Sequence, residues 1–281
     1  MRIQVGDVKL FFDVEGSKLR PDGPVMRQVP TLLLLHGGPG FDHSGFKPAF
    51  AEMATMVQVV YVDLRGNGRS DGGPANKWTL AQWAADVHSF CEALSIDAPI
   101  VMGHSLGGIV AMVYAIRYPD HPAKLILSST STQPVVGERS FAIFERLGGQ
   151  RARDAATAFW TNPNEASHAD YEAICLPLYT RVAPPAGFFE RAVRNPAMRL
   201  VFFEAEIRRL DLLRQLHLIK CPSLLVAGED DPITPMADME EIAEAMSPHL
   251  VRLERFANAG HGVYRDRPAA FFHALREFIE A

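Results

Sequence analysis

Gly103-His104-Ser105-Leu106-Gly107 sets a serine between two glycines, directly after the apolar run Ala98 to Met102 and ahead of the small and apolar residues Gly108 to Ala115. The run reads as a buried strand and its sequel as a packed helix, so Ser105 is expected on a sharp strand-to-helix turn. Glycines two residues to either side remove the side chains that would collide with the neighbouring strand or helix in so tight a turn. The turn projects the hydroxyl outward and leaves the N–H of Leu106, at a helix start, free to face an oxyanion. A serine hydroxyl is a poor nucleophile near neutral pH and needs a base within hydrogen-bond reach, oriented in turn by an acid. Of the ten histidines, His261 lies in the glycine-flanked segment Asn258-Ala259-Gly260-His261-Gly262, just after the last expected strand. Gly228-Glu229-Asp230-Asp231-Pro232 follows the preceding strand and offers the acid, with Asp230 and Asp231 as the candidates. The order Ser, Asp, His, with all three at strand ends on one sheet edge, points to acyl transfer through a covalent intermediate.

A second glycine-rich stretch, His36-Gly37-Gly38-Pro39-Gly40, closes the apolar run Thr31 to Leu35. Its glycines let the backbone approach a tetrahedral intermediate, and the N–H of Gly38 is expected to join that of Leu106 as oxyanion donor. Other histidines receive structural readings: His36 bonded to nearby backbone, His104 pointing off the turn, and His43 at the surface, with the pocket mouth as its alternative. Asp63 to Ser70 reads as a turn held by a network of Asp63 and Arg65, not as a metal or phosphate site. No metal or cofactor is called for.

The elements that must position these residues alternate between strand and helix. Ile3 to Val5 and Lys9 to Val14 read as an antiparallel hairpin at a sheet edge, and the polar segment Gly16 to Pro30 as a surface crossing. Thr31 to Leu35, Val57 to Val62, Ala98 to Met102, Leu125 to Leu127, Ser223 to Ala227 and Val251 to Phe256 supply further strands, and the continuously apolar ones suit strands covered on both faces. Thr79 is placed to cap a helix whose inward face is Leu80, Trp83, Val87, Phe90 and Leu94. Helices are also expected from Met236 to Met246 and at the C-terminal end, where Phe271, Leu275, Phe278 and Ile279 point inward. The result is roughly eight strands, mostly parallel, with helices on both faces. Between Thr132 and His217 the alternation stops. Residues 134–216 read as a mostly helical inserted cap, with Leu200, Phe203, Ile207 and Leu210 on one face, leaving 1–133 and 217–281 as the core. Phe141, Phe144, Phe159, Trp160, Phe188, Phe189, Phe202 and Phe203 make the cap rich in aromatics, most of them expected to pack it onto the core.

Composition bounds the rest. The chain has 281 residues, 48% of them hydrophobic and 22% charged, enough for one globular domain with a large core. A net charge of -5 with dispersed Lys and Arg argues against nucleic acid or an anionic membrane as partner. Cys91, Cys175 and Cys221 are too few and too far apart for a disulfide framework or a zinc site, and are expected as buried free thiols. The N-terminal stretch alternates like a strand and no run reaches spanning length, which places the protein in the cytoplasm.

With these residues in view, HGGPG, DLRGNGRSD, GHSLGG, GEDDPITP and AGHGVYRDRP, in this order and spacing, resemble the α/β-hydrolase superfamily across essentially the whole chain. The resemblance implies Ser105 as nucleophile, His261 as base and Asp231, three residues past Gly228 and fixed ahead of Pro232, as acid. Gly38 and Leu106 become the oxyanion donors. HGGPG resembles the proline iminopeptidase branch, which also carries a helical cap, yet that branch often has a tryptophan where Leu106 stands, so the turn is more like that of carboxylesterases. Those peptidases also need cap carboxylates for the substrate's amino terminus. Glu204 and Glu206 diverge by about 200° on a helix and cannot easily share one site, and Glu204 paired with Arg208 on a solvated face is the reading preferred. The expected activity is therefore hydrolysis of a small-molecule carboxylic ester. An N-terminal proline amide, a lactone or a C–C bond remains open as an alternative substrate, and a receptor with an idle triad as an alternative class.

Overall fold

Apolar runs with no polar alternation become the middle of a sheet because they can be covered from both sides. The computed structural model describes residues 1–133, 136–198 and 211–281. Its strands are β1 (Arg2–Val5), β2 (Val8–Glu15), β3 (Leu19–Asp22), β4 (Val25–Gln28), β5 (Thr31–Leu35), β6 (Gln58–Val62), β7 (Ile100–His104), β8 (Lys124–Ser128), β9 (Ser223–Gly228) and β10 (Val251–Phe256). Eight of them form one sheet in the order β1-β2-β6-β5-β7-β8-β9-β10. The β1–β2 and β2–β6 pairs are antiparallel and all later neighbours are parallel, the mixed α/β architecture expected from the sequence.

Side chains of these strands divide by parity, as the two-residue repeat of a strand requires. Leu33, Leu35, Val101, Leu125, Leu127 and Leu225 enter one core, shared with helices α1 (Leu80–Ala93) and α2 (Leu106–Arg117). Leu32, Leu34, Ile100, Met102, Ile126 and Leu224 enter the other. Thr79 caps α1 by accepting the N–H of Gln82 at 3.1 Å. After β8 come α3 (Glu138–Thr161), bent at Gly149 where φ is +73°, and α4 (Glu165–Ile174). These two share a third core of their own, with Phe141, Phe144, Phe159 and Tyr171 buried in it. The chain returns to the sheet early, for Leu212 and Leu216 already pack into the α1–α2 core. Then follow α5 (Met236–Ala245), on the α1–α2 side, and α6 (Val263–Asp266) and α7 (Pro268–Glu280), which cover the opposite face. The expected face of Leu200, Phe203, Ile207 and Leu210 lies outside the described residues, as do Phe202, Glu204, Glu206 and Arg208.

The polar segment after Gly16 does run across the surface, and within it β3 and β4 pair as a separate exposed hairpin, turned by Gly23 with φ +58° and by Pro24. Two local expectations need correction. His43 is not at the surface. It is buried, with its backbone N–H and its Nδ1 at 2.9 and 2.7 Å from Asp63 Oδ1 and its ring stacked on Phe11. Asp63 and Arg65 do not form one network either. Asp63 also accepts the N–H of Arg69, whereas Arg65, fully buried, reaches away to Asp86 through Nε and Nη2 at 2.7 and 2.8 Å and to Asp7 at 2.9 Å. Arg65 lies in the turn that follows β6 and not in the strand, so the shared face that residues two apart have in a strand is not imposed on 63 and 65. The three cysteines are buried and free, and burial pushes the thiols of Cys91 and Cys175 up to about 12. No helix among the described residues is long and apolar enough to cross a membrane.

Candidate active site

Ser105 occupies the single position between β7 and α2, with φ +55° and ψ -122°. A non-glycine residue held there costs about 1–3 kcal/mol, so the surroundings must impose it. They do so through backbone contact. A Cβ on Gly103 would stand 2.1 Å from the carbonyl oxygen of Gly107, and one on Gly107 would stand 2.1 Å from that of Leu35. The turn is also tied from β8: Ser105 N–H donates to Ser128 O at 3.0 Å, and Thr130 Oγ1 donates to Ser105 O at 2.7 Å. Leu106 opens α2, where the first-turn N–H groups have no intrahelical acceptor and carry the positive end of the helix dipole. Gly38, with φ +140°, sits at the end of β5 on the same sheet edge. Gly38 and Leu106 line one small chamber together with Ser105.

The ends of β9 and β10 bring the other two residues together. His261 Nδ1 lies 2.8 Å from Asp231 Oδ2, with Asp231 wholly buried. The same carboxylate accepts the N–H groups of Ile233 and Thr234 on Oδ1 at 2.8 and 3.0 Å, and the Thr234 hydroxyl on Oδ2 at 2.6 Å. Oδ1 thus serves the two backbone N–H groups, while Oδ2 is shared by the Thr234 hydroxyl and the histidine. Asp230 faces outward to Arg146 Nη1 at 2.7 Å. His261 is held from the other side as well, its N–H donating to Tyr179 O at 2.7 Å. Among the described residues no hydrogen bond within 3.5 Å joins Ser105 Oγ to His261 Nε2. Such contacts often tighten only when substrate is bound.

His36 and His104 are both buried, and burial lowers the pKa of each. His36 Nε2 accepts the N–H of Leu64 at 3.1 Å, which leaves Nδ1 to donate to Gly37 O at 2.7 Å. His104 is pushed well below the ordinary histidine value, with the charges of His261 and Arg265 adding to the effect of burial, and its ring centroid is 4.9 Å from that of His261.

Ser105 and His261 line one cavity of about 290 Å³. Phe159, Trp160, Phe188 and Phe189 from the aromatic set face it, whereas Phe141 and Phe144 pack inside the α3–α4 core. A smaller chamber of about 70 Å³, lined by Leu106, Ile109, Thr130 and Val136, shares Ser105, Gly38 and Pro39 with it. The serine therefore stands between a large chamber and a small apolar one. No group of three or more His, Cys, Asp or Glu suited to a metal occurs among the described residues.

A family profile described as alpha/beta hydrolase fold matches residues 30–268. The chain belongs to the α/β-hydrolase fold family. "Putative carbamate hydrolase RutD" of Escherichia coli is 27% identical over 267 residues, covering 90% of this chain and 92% of that one. A proline iminopeptidase of Mycobacterium smegmatis superposes with a TM-score of 0.80 at 23% identity, covering 100% of this chain and 97% of the other. An esterase from Exiguobacterium antarcticum gives a TM-score of 0.71 at 20% identity, covering 100% and 99%. At such identities the structural likeness speaks for the fold alone.

Several residues of this α/β-hydrolase that shape the site escape sequence reading. Asp266 accepts the N–H groups of Arg181, Val182 and Gly260 at 2.9, 2.9 and 2.8 Å, which pins the segment after Tyr179 to the His261 loop. Its local bond to Gly260 carries no distinctive pattern, and its other two partners are more than eighty residues away in sequence. Thr234 had a signal: an aspartate followed by a threonine three residues on is a common turn pattern.

Proposed function

We propose that this chain is a serine hydrolase of carboxylic esters that works through an acyl-enzyme, with Ser105 as nucleophile, His261 as general base and Asp231 as the orienting acid. The observation that carries the reading is the 2.8 Å contact between His261 Nδ1 and Asp231 Oδ2 in a pair that opens, with Ser105, onto one cavity. A carboxylate on Nδ1 keeps the proton there and leaves Nε2 to take the proton of Ser105 Oγ during attack. The N–H groups of Gly38 and Leu106 then receive the charge that develops on the carbonyl oxygen. His261 returns its proton to the leaving alcohol, and water, activated by the same ring, releases the acid and frees Ser105.

Replacing Ser105 by Ala is expected to lower turnover of short p-nitrophenyl esters by roughly 10⁴-fold or more. Stoichiometric labelling by a fluorophosphonate is expected in the wild type and absent in the variant. Near wild-type turnover in Ser105→Ala would falsify the assignment, and failure of the wild type to label would favour an idle triad. The same machinery could open an amide or a carbamate, the bond named in the Escherichia coli relative. An aminopeptidase needs free carboxylates for the substrate's ammonium group. Of the described carboxylates around the cavity, Asp42 is committed to Arg69, Ser44 and the Val193 N–H, and Glu172 lies beside His168. Glu172 is therefore the carboxylate on which an aminopeptidase reading would have to rest; esters are the reading preferred because Leu106 stands where the proline iminopeptidase branch often has a tryptophan, and proline p-nitroanilide beside p-nitrophenyl butyrate separates the two.

A further inference from the structure

The cavity that holds Ser105 and His261 also holds an arginine that no carboxylate among the described residues answers. Arg265, four residues beyond His261 on α6, lines its wall. The guanidinium is fixed in place. Its Nη1 donates to the Tyr264 hydroxyl at 2.6 Å, that hydroxyl donates to Gly45 O at 3.1 Å, and the rings of Phe188 and Tyr264 each lie 4.8 Å from Cζ. Gly262 makes the space: a Cβ there would stand 2.3 Å from Nη2 and 2.6 Å from Cζ. The φ of Gly262, -111°, does not itself require glycine.

Nothing among the described residues neutralises this charge. Arg265 Nε is buried without a hydrogen-bond partner, and no ion pair reaches the side chain. The nearby carboxylates are spent elsewhere, Asp266 on three backbone N–H groups and Asp42 on Arg69, Ser44 and Val193. Arg65 makes the contrast. Fully buried where Arg265 is only partly so, and with its own Nη1 also unpartnered, Arg65 is nevertheless matched by two bonds to Asp86 at 2.7 and 2.8 Å. A cation held in a mostly aromatic wall is costly until a counter-charge arrives, and a guanidinium fixed in its plane is preorganised for a planar carboxylate.

We propose that Arg265 is a carboxylate subsite of this cavity, so that the substrate is a half-ester of a dicarboxylic acid: one carboxyl group esterified, the other free and paired with Arg265. The short uncharged end occupies the small apolar chamber beyond Ser105, and the charged tail occupies the large one. The assignment of a half-ester rests on the ester-hydrolase reading above; the anion subsite itself does not. Hydrolysis by that route consumes one water and releases an alcohol and a dicarboxylate.

The test compares monoethyl glutarate with ethyl hexanoate, a neutral ester of similar size, in the wild type, Arg265→Gln and Arg265→Lys. The wild type is expected to prefer the half-ester. In Arg265→Gln the ratio of the two kcat/KM values is expected to fall roughly 10- to 100-fold, the usual range for losing a charge-assisted bond, with part of the preference kept in Arg265→Lys. Calorimetric titration of Ser105→Ala and of Ser105→Ala with Arg265→Gln, using monoethyl glutarate, reads binding without turnover. A ratio and an affinity that both stay within about twofold would overturn the proposal. Should Arg265→Gln not fold, glutarate is still expected to raise the Tm of the wild type more than butyrate does, and equal shifts count against the subsite. If the wild type hydrolyses neither ester while Arg265 still governs affinity, the ester reading fails and the subsite stands.

Discussion

The two oxygens of Asp231 divide their work between shaping a turn and orienting a histidine. Oδ1 takes the backbone N–H groups of Ile233 and Thr234, while Oδ2 takes the Thr234 hydroxyl and His261 Nδ1. Asp231→Asn preserves an oxygen for the turn but offers His261 the wrong partner when its amide nitrogen faces Nδ1. That favours the tautomer in which Nε2 already carries a proton. The variant is expected to fold, with unchanged far-ultraviolet dichroism, and to lose roughly 10⁴-fold in the rate of acylation measured in single turnover. A loss under about tenfold would mean that Asp230 or another group can orient the ring. Sequence reading narrowed the acid to two adjacent residues. Which one faces the histidine depends on the path of the chain after β9, where Asp230 turns outward to Arg146 on α3.

At the scale of elements, the turn bearing Ser105 is clamped between three strands. Gly103 and Gly107 are there because backbone atoms occupy the space a side chain would need. Gly107→Ala must displace the Leu35 carbonyl, which sits in the centre of the sheet. It is expected to cost about 3 kcal/mol in urea unfolding, with labelling of Ser105 lost in parallel. Gly137→Ala is the control. No atom of the described residues lies within 4 Å of a Cβ there, and the change is expected to cost less than about 1 kcal/mol. The central strands were legible as short, continuously apolar runs and the helices as apolar faces repeating every 3.6 residues. The β3–β4 hairpin was hidden, since its four-residue strands are exposed and carry no such alternation.

The whole molecule rests on two sheet-face cores and a third inside the α3–α4 unit, joined at the cavity by buried polar groups. Those groups link folding to pH. His36 and His104 both have lowered pKa values in the folded state, burial being the main cause. An unfolded chain takes up protons on these rings near the ordinary value of 6.5, whereas the native state resists, so stability present above 6.5 is lost as pH falls below it. Asp238, pushed by burial up to about 6, works in the opposite sense over its own range. The readout is therefore a difference. The fall in urea midpoint from about pH 7.5 to about pH 5.5 is expected to be smaller in His104→Gln than in the wild type, and equal falls would show that His104 is not held neutral.

The succession of strands and helices along the chain, and the glycine-flanked segments carrying Ser105 and His261, were legible from neighbours in the chain, through steric limits on short turns and through local apolar patterning. The partners of polar side chains were not. His43 with Asp63, Arg65 with Asp86, and Arg265 with no carboxylate partner among the described residues depend on where distant segments come to rest. A residue's type states that it can hold a charge or a proton, but the match to a partner is a matter of distance and direction, and only packing the three cores together sets those.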